Sequence, residues 1–579
     1  MKNKNYKKEI IIVIIILIVQ SVVFLIAGIN KSYIHMDEAY SLGLASYNKT
    51  EIQQNSDFYN TWHNKEYYED YLCVNDDEKN DLSMVYENQK NDVHPPLYYL
   101  FLRLAMQFNI NFFSKWPGII LNMIMYIFIT IFMYLIIKKI LPESKSNIIK
   151  SAILALISSL TLASINNAIY IRMYSMSTLN IVITTYLHLK LLDYEKINLK
   201  VLLLIGISAL IGSLTHYYYL FYLIALFFMF SFKYLKEKKY KHFFAYSLTL
   251  LFSGIFSIMI FPYSINHIFF SYRGQGVISN ILNISDFLKR ICQYIYIINV
   301  YIYNNTLFLI VLFMIGMIIY KKTKKIKLIC EKNKYIMYIF IPTTVYFLFV
   351  AVSAPWIELR YIMPIGCLIF ILIWYLIENI VRNLIDIKII LTIFIVLLIL
   401  MPAILNIFID LSLGKDRKQI FYSRKDELVE NLITRSNIPF NILKNFNEAP
   451  IDNTILFIEN YNIEPEVLYS NKSEIVNILK EKYNSIPAIY LFNSSNNRFL
   501  DDILLFTIIN ESYIAKDILA TEENINEILF GKDISKGILI FINDGQDSDG
   551  LIEKIKKILN FKSSTYLQRL NACDVYFIK

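Results

Sequence analysis

The chain has 579 residues, 56% of them hydrophobic, and a formal charge of +9. That hydrophobic content excludes an ordinary soluble protein, and repeated apolar runs of about twenty residues read as membrane-spanning helices. The positive charge is spread over short loops with no compact basic patch interleaved with aromatics, which argues against a nucleic-acid partner.

Lys2, Lys4, Lys7 and Lys8 precede an apolar run from Ile10 to about Ile29. The run is long for a signal peptide and lacks a clear small-residue cleavage site, so it is expected to remain as the first span. Residues 30–115 follow as a first outer loop. From Lys31 to Asp92 it holds thirteen acids against five bases, and such a loop belongs on the side opposite the Lys-rich tail. Within it, Pro95-Pro96 opens a short apolar stretch to Phe108 with Arg103 at its centre. Leading prolines suit a helix start. Shortness and the central charge predict a helix lying at the membrane interface.

Further spans are expected near 116–137, 151–170, 175–192, 200–215, 218–232, 243–261, 305–320, 335–352, 362–381 and 387–408. Lys138-Lys139, Lys196, Lys200, Lys233 to Lys241 and Lys321 to Lys325 mark their inner ends. This makes about eleven spans with the N-terminus inside, and 291–304 could be a further embedded helix. The fold class is therefore a polytopic α-helical membrane protein, residues 1–411, followed by a soluble α/β domain, residues 412–579. In that second part 453–458, 488–492 and 537–542 read as buried strands, with 473–483 and 548–559 as helices between them. No glycine-rich phosphate loop occurs, so no nucleotide cofactor is expected. The five cysteines, Cys73, Cys292, Cys330, Cys367 and Cys573, show no zinc spacing and no even set for a disulfide framework.

Five polar clusters come out on the same, outer side. Asp37-Glu38 lies just past the first span, where charge is costly and a partly desolvated carboxylate can act as a general base. Asp92 and His94 precede the interfacial helix; Asp92 could equally be a helix cap. Arg172 and Arg360 stand at outer helix ends, fit to grip a phosphate with a planar fork of donors, or to snorkel to lipid headgroups. Tyr174 accompanies Arg172, Tyr361 accompanies Arg360, and His216-Tyr217 could belong to the interfacial aromatic belt.

Taken in order, Asp37-Glu38-Ala39-Tyr40, His94-Pro95-Pro96-Leu97-Tyr98-Tyr99, Arg172-Met173-Tyr174-Ser175, Thr215-His216-Tyr217-Tyr218 and Arg360-Tyr361 resemble the GT-C glycosyltransferases. The resemblance is to the protein O-mannosyltransferase and aminoarabinose transferase group, especially its bacterial members, and covers residues 1–410. It implies a membrane enzyme that transfers a sugar from a polyprenyl- or dolichyl-phosphate carrier, generally with inversion, to a lipid, polymer or protein acceptor at the outer face. By that resemblance Asp37 is the catalytic base with Glu38 beside it. Asp92 and His94 shape the acceptor or sugar site, Arg172 and Arg360 face the carrier phosphate, and Tyr174, His216, Tyr217 and Tyr361 line the substrate. The family is divided on metal use, and a divalent ion stays open. Ser41 and Gly43 depart from the residues common there, which leaves the sugar undetermined.

A polytopic transporter or flippase would also have many spans, but such proteins carry polar or broken spans at mid-depth and internal repeats. The charges here gather at one surface and no repeat is seen. A non-enzymatic sensor would leave Asp37, Asp92 and Arg360 dispensable. The orientation is testable by cysteine labelling of intact cells: sites in the C-terminal region should react from outside, and Lys239→Cys should not. The opposite pattern would put all five clusters on the inner side.

Overall fold

The computed structural model describes residues 2–31, 34–47, 52, 57–141, 147–282, 287–326, 333–355, 357–381, 475–493, 499–518, 521–543, 546–570 and 573–579. It divides into two compact units. Met1–Leu25, Asn122–Ala168 and Met173–Glu464 make the first; Ile26–Leu121, Ile169–Arg172 and Pro465–Lys579 make the second.

In chain order the elements begin with α1 (Lys2–Asn30), α2 (Met36–Ser46), β1 (Trp62–Asn64), α3 (Lys65–Leu72), α4 (Ser83–Asn91) and α5 (Leu97–Met106). Then come α6 (Trp116–Ile140), α7 (Asn147–Ser159), α8 (Leu162–Ile169), α9 (Tyr174–Leu191), α10 (Leu199–Ser213), α11 (Tyr219–Lys236) and α12 (Tyr240–Ile260). The helical part ends with α13 (Ser264–Phe269), α14 (Tyr272–Leu282), α15 (Phe287–Tyr301), α16 (Leu307–Thr323), α17 (Met337–Ser353) and α18 (Met363–Val381). The C-terminal part adds β2 (Ala488–Phe492), α19 (Ile503–Phe506), β3 (Glu511–Lys516), α20 (Glu522–Ile528), β4 (Ile538–Asn543), α21 (Ser548–Ile558), β5 (Ser564–Arg569) and β6 (Cys573–Ile578).

Helices stand at ten of the eleven span positions expected from the sequence; the eleventh, 387–408, and the strand expected at 453–458 lie outside the described residues. The described residues do not confirm a count of eleven spans. Among the described residues five helices are long and apolar enough to cross a membrane, within α1, α6, α11, α12 and α18. A sixth span appears if α7 and α8 are taken together. That pair is bent by 62° because hydroxyls take over the backbone bonds at the break. Thr161 Oγ1 accepts from Ser164 N at 3.2 Å, and Ser164 Oγ donates to Ser158 O at 2.9 Å. The outward residues of α12, among them Phe244, Leu251, Phe252 and Met259, are exposed. Such a surface needs hydrocarbon as its solvent.

In the first unit α9 is polar along much of its length yet almost wholly buried, because its neighbours satisfy it. Thr184 Oγ1 bonds Ser208 Oγ at 2.6 Å and Tyr219 OH at 2.7 Å, Thr185 Oγ1 bonds Tyr222 OH at 2.7 Å, and His188 Nε2 meets Tyr246 OH at 3.0 Å. α10 can approach α11 and α12 closely at Gly212 and Gly206. A Cβ at Gly212 would stand 2.4 Å from the Tyr219 ring.

In the second unit a six-stranded sheet runs in the order β1-β3-β2-β4-β6-β5. β2 is parallel to β3 and β4, while β6 and β5 form an antiparallel edge pair beside β4. β2 and β4 are buried along their whole lengths, as their unbroken apolar runs predict. Ile552 and Ile555 of α21 and Ile525 of α20 pack on Ile489, Ile540 and Ile542. β1 comes from the polar segment between α1 and α6 and pairs antiparallel with β3.

α5 has ten residues, about 15 Å of helix and half of what a bilayer core requires. Arg103 of α5 is fully buried. Its guanidinium donates to Ser46 O at 2.9 Å, to Ala45 O at 3.5 Å and to Glu78 O. The cation thus caps the C-terminal carbonyls of α2, where the helix dipole is negative. Arg103→Met keeps the stem and removes the donors. Leaving those carbonyls unpaired should cost about 1–3 kcal/mol, read as a lower unfolding temperature in detergent; an unchanged transition would mean water replaces the guanidinium.

Candidate functional site

The second unit gathers five of the residues selected from the sequence: Asp37, Glu38, Asp92, His94 and Arg172. The helix that carries the first two starts at a reciprocal cap. Asp37 N donates to His35 Nδ1 at 3.1 Å, and His35 N donates to Glu38 Oε2 at 2.8 Å. Nδ1 must be unprotonated to accept, so the neutral ring carries its proton on Nε2.

Adjacent in sequence, the two acids have opposite surroundings. Glu38 has no exposed side-chain surface. It forms an ion pair with the Lys31 ammonium, and the same oxygen accepts from Ile171 N at 2.7 Å. Lys31 Nζ donates further to Ile169 O at 2.8 Å. Burial pulls the Lys31 pKa below its ordinary value, and the Glu38 charge opposes that shift.

The Asp37 side chain keeps 15% of its surface exposed. Tyr170 OH donates to Asp37 Oδ2 at 3.1 Å, and His35 Nδ1 lies 3.8 Å from that oxygen. The Tyr170 hydroxyl thereby holds one edge of the carboxylate. A carboxylate so placed can accept a proton.

Arg172 is brought to the same helix. Its Nη1 donates to Asp37 O at 3.3 Å, Ser41 Oγ at 3.1 Å and Tyr99 OH at 3.3 Å. Asp92 caps the C-terminus of α4, its N–H donating to Asn88 O and Gln89 O. Its Oδ2 lies 2.8 Å from His94 Nδ1. Burial pushes the Asp92 pKa up, but His94 and the Arg172 charge together hold it below the usual carboxylate range. Asp92 therefore stays ionised.

Tyr174, His216, Tyr217, Arg360 and Tyr361 belong to the first unit, where they form a cluster of their own. Rings run in sequence from Tyr174 to His216 at 5.5 Å, His216 to Tyr218 at 5.3 Å and Tyr218 to Tyr361 at 5.8 Å between centroids. The Arg360 guanidinium stands 5.3 Å over the Tyr361 ring and pairs with Glu358. Tyr217 OH meets His267 Nδ1 at 2.9 Å. The same unit holds an apolar cavity of about 510 Å³ between α15, α16, α17 and α18, lined by Ile298, Leu307, Phe340, Phe347, Ile369 and Leu376 among others. Among the described residues no three His, Cys, Asp or Glu side chains converge as a set of metal ligands.

Lys31, Ser41, Tyr99 and Tyr170 are the participants that reading for chemistry passed over. Tyr99 sits inside the string that begins at His94, Ser41 directly follows Tyr40 and Tyr170 lies two residues before Arg172, so proximity to the motifs was their signal. Lys31 had none, since a lysine after a first span reads as a loop charge.

No protein-family model matches the chain, and no curated protein matches it. Two crystal structures of ArnT from Cupriavidus metallidurans are similar to it in fold. The one bound to undecaprenyl phosphate has 9% identity and a TM-score of 0.46, covering 98% of this chain and 97% of that one. The apo form has 8% identity and a TM-score of 0.45, with 97% of each chain covered.

The buried pair predicts its own mutational pattern. Lys31→Met strands the Glu38 charge and should cost about 3–5 kcal/mol. Lys31→Met with Glu38→Gln should recover most of that loss, because the amide oxygen still accepts from Ile171 N. Denaturant unfolding of the two variants measures the difference, and additive losses would mean the two groups do not interact.

Proposed function

We propose that the chain is a membrane glycosyltransferase that takes its sugar from a polyprenyl-phosphate carrier, with Asp37 as the general base. The observation that carries this reading is the Asp37 carboxylate: partly exposed, held at one edge by Tyr170, on a helix whose backbone the Arg172 guanidinium grips. The order of the sequence motifs supports the same chemistry.

In the reaction Asp37 takes the proton of an acceptor hydroxyl or amine while the acceptor attacks the sugar C1. The bond from C1 to the phosphate oxygen breaks, and the polyprenyl phosphate leaves with the electron pair. Direct displacement inverts the anomeric centre. An already activated donor needs no nucleotide, in keeping with the missing phosphate loop. By the motif resemblance Arg172 and Arg360 are the cations that stabilise charge on the departing phosphate. Asp92 and His94, as a hydrogen-bonded carboxylate and imidazole, orient the sugar or acceptor. Glu38 is a positioning residue, its carboxylate taken up by Lys31, Ile171 N and His35 N. The acceptor and the active site lie on the extracytoplasmic side of the cell membrane.

The test uses the purified chain in nanodiscs with a panel of synthetic polyprenyl-phosphate sugars and an extracted envelope fraction as acceptor, following release of polyprenyl phosphate. Asp37→Asn should fold and bind donor yet lose roughly two to four orders of magnitude in turnover, a defect that excess donor does not rescue. Arg360→Lys should weaken turnover, since an ammonium lacks the two-pronged contact. Near-normal turnover in Asp37→Asn would move the base elsewhere.

A further inference from the structure

α3 is a short helix with tyrosines serving two different neighbours. Tyr68 is fully buried, its hydroxyl 2.7 Å from Ser512 Oγ on β3 and its ring against Phe499 and Phe506. Tyr71, three residues on and equally buried, faces α2. A Cβ at Gly43 would stand 2.1 Å from the Tyr71 ring, and Ser46 Oγ donates to Tyr71 O at 2.8 Å. There is no slack at that crossing: only a glycine lets the two helices approach so closely.

The stretch before α3 is built into the C-terminal sheet. Trp62 pairs opposite Tyr513, and its indole Nε1 donates to Ile528 O at 2.8 Å, 466 residues away. Asn60 N donates to Ile514 O at 2.8 Å, and Lys516 N donates to Asn60 Oδ1 at 3.0 Å. Phe58 meets Phe499 edge-on at 5.1 Å, His63 stacks on Tyr67 at 3.8 Å, and Asn64 caps α3. α2 also packs directly on the turn Phe499–Asp501. A strand of three residues has no stability of its own, so β1, and with it the start of α3, is ordered by the edge that β3 offers.

We propose that the C-terminal α/β region is a brace for the helix carrying Asp37. The sheet holds β1 and α3, α3 holds α2 through Tyr71 and Gly43, and Trp62, Tyr68 and Tyr71 are positioning residues. The consequence for catalysis rests on the reading of Asp37 as base.

The experiment combines hydrogen exchange with kinetics on the full chain in nanodiscs, comparing Trp62→Ala, Trp62→Phe and the milder Tyr68→Phe. Amide exchange over Met36–Ser46 should quicken roughly two- to tenfold per lost hydrogen bond, most in Trp62→Ala, while α9 to α12 stay unchanged. With whichever donor of the panel turns over, kcat should fall with the donor KM unaltered, and Trp62→Phe should recover part of it. Faster exchange in β3 with none in α2 would overturn the brace and make the C-terminal region an independent module. Faster exchange in α2 alongside full turnover in Asp37→Asn would keep the brace and refute the base. Should Trp62→Ala fail to fold, Tyr68→Phe decides the same question.

Discussion

A carboxylate and an ammonium taken wholly out of water cost several kcal/mol each unless their mutual attraction and further hydrogen bonds make up the loss. Lys31 and Glu38 meet that condition. Glu38 takes up the Lys31 ammonium, the Ile171 amide and the His35 amide, and Lys31 reaches the Ile169 carbonyl as well. Three stretches of chain therefore meet at one point: the end of α1, the first turn of α2 and the segment from 169 to 172. A pair of this kind tolerates little displacement, so it fixes the direction in which α2 leaves the first span. The neighbouring Asp37 inherits that direction.

From this point the rest of the cluster follows by short steps. The segment held by Glu38 presents Tyr170 to the Asp37 carboxylate and Arg172 to the Asp37 carbonyl, Ser41 and Tyr99. Arg172 in turn helps keep Asp92 ionised. At the far end of α2, Arg103 collects the terminal carbonyls. The helix is thus pinned at both ends by cations, one acting through a carboxylate and one directly. Two adjacent acids consequently have different surroundings. Glu38 is consumed by structure, and Asp37 keeps part of its surface exposed.

The C-terminal sheet enters the same scheme from far along the chain. A three-residue strand from the polar segment between α1 and α6 is ordered at its edge, and α3 stands between that sheet and α2 with one tyrosine turned each way. In the proposed brace this sheet is more than an appendage to the helices. It supplies rigidity that a polar, glycine-poor loop of sixty-odd residues lacks, because ordering such a loop needs contacts that outweigh its conformational entropy.

Apolar runs with lysines at their ends were enough to place the helices, since hydrocarbon and water impose their pattern locally, residue by residue. Ala488–Phe492 and Ile538–Asn543 were legible for a related reason: strands buried on both faces read as unbroken apolar stretches. The motif strings around Asp37, Asp92 and Arg172 fall together in the second unit, while those around His216 and Arg360 fall in the first. What remained hidden depends on partners distant in the chain. β5 is polar and exposed, and β1 is too short to carry any pattern. Among the described residues not every apolar run became a long span, because hydroxyls at Thr161 and Ser164 break one helix and others run short. The difference in surroundings between Asp37 and Glu38 was also invisible, since it is set by Lys31, Ile171 and Tyr170. Composition records which residues dislike water. Only the folded chain decides which charge finds a partner and which keeps a face to solvent.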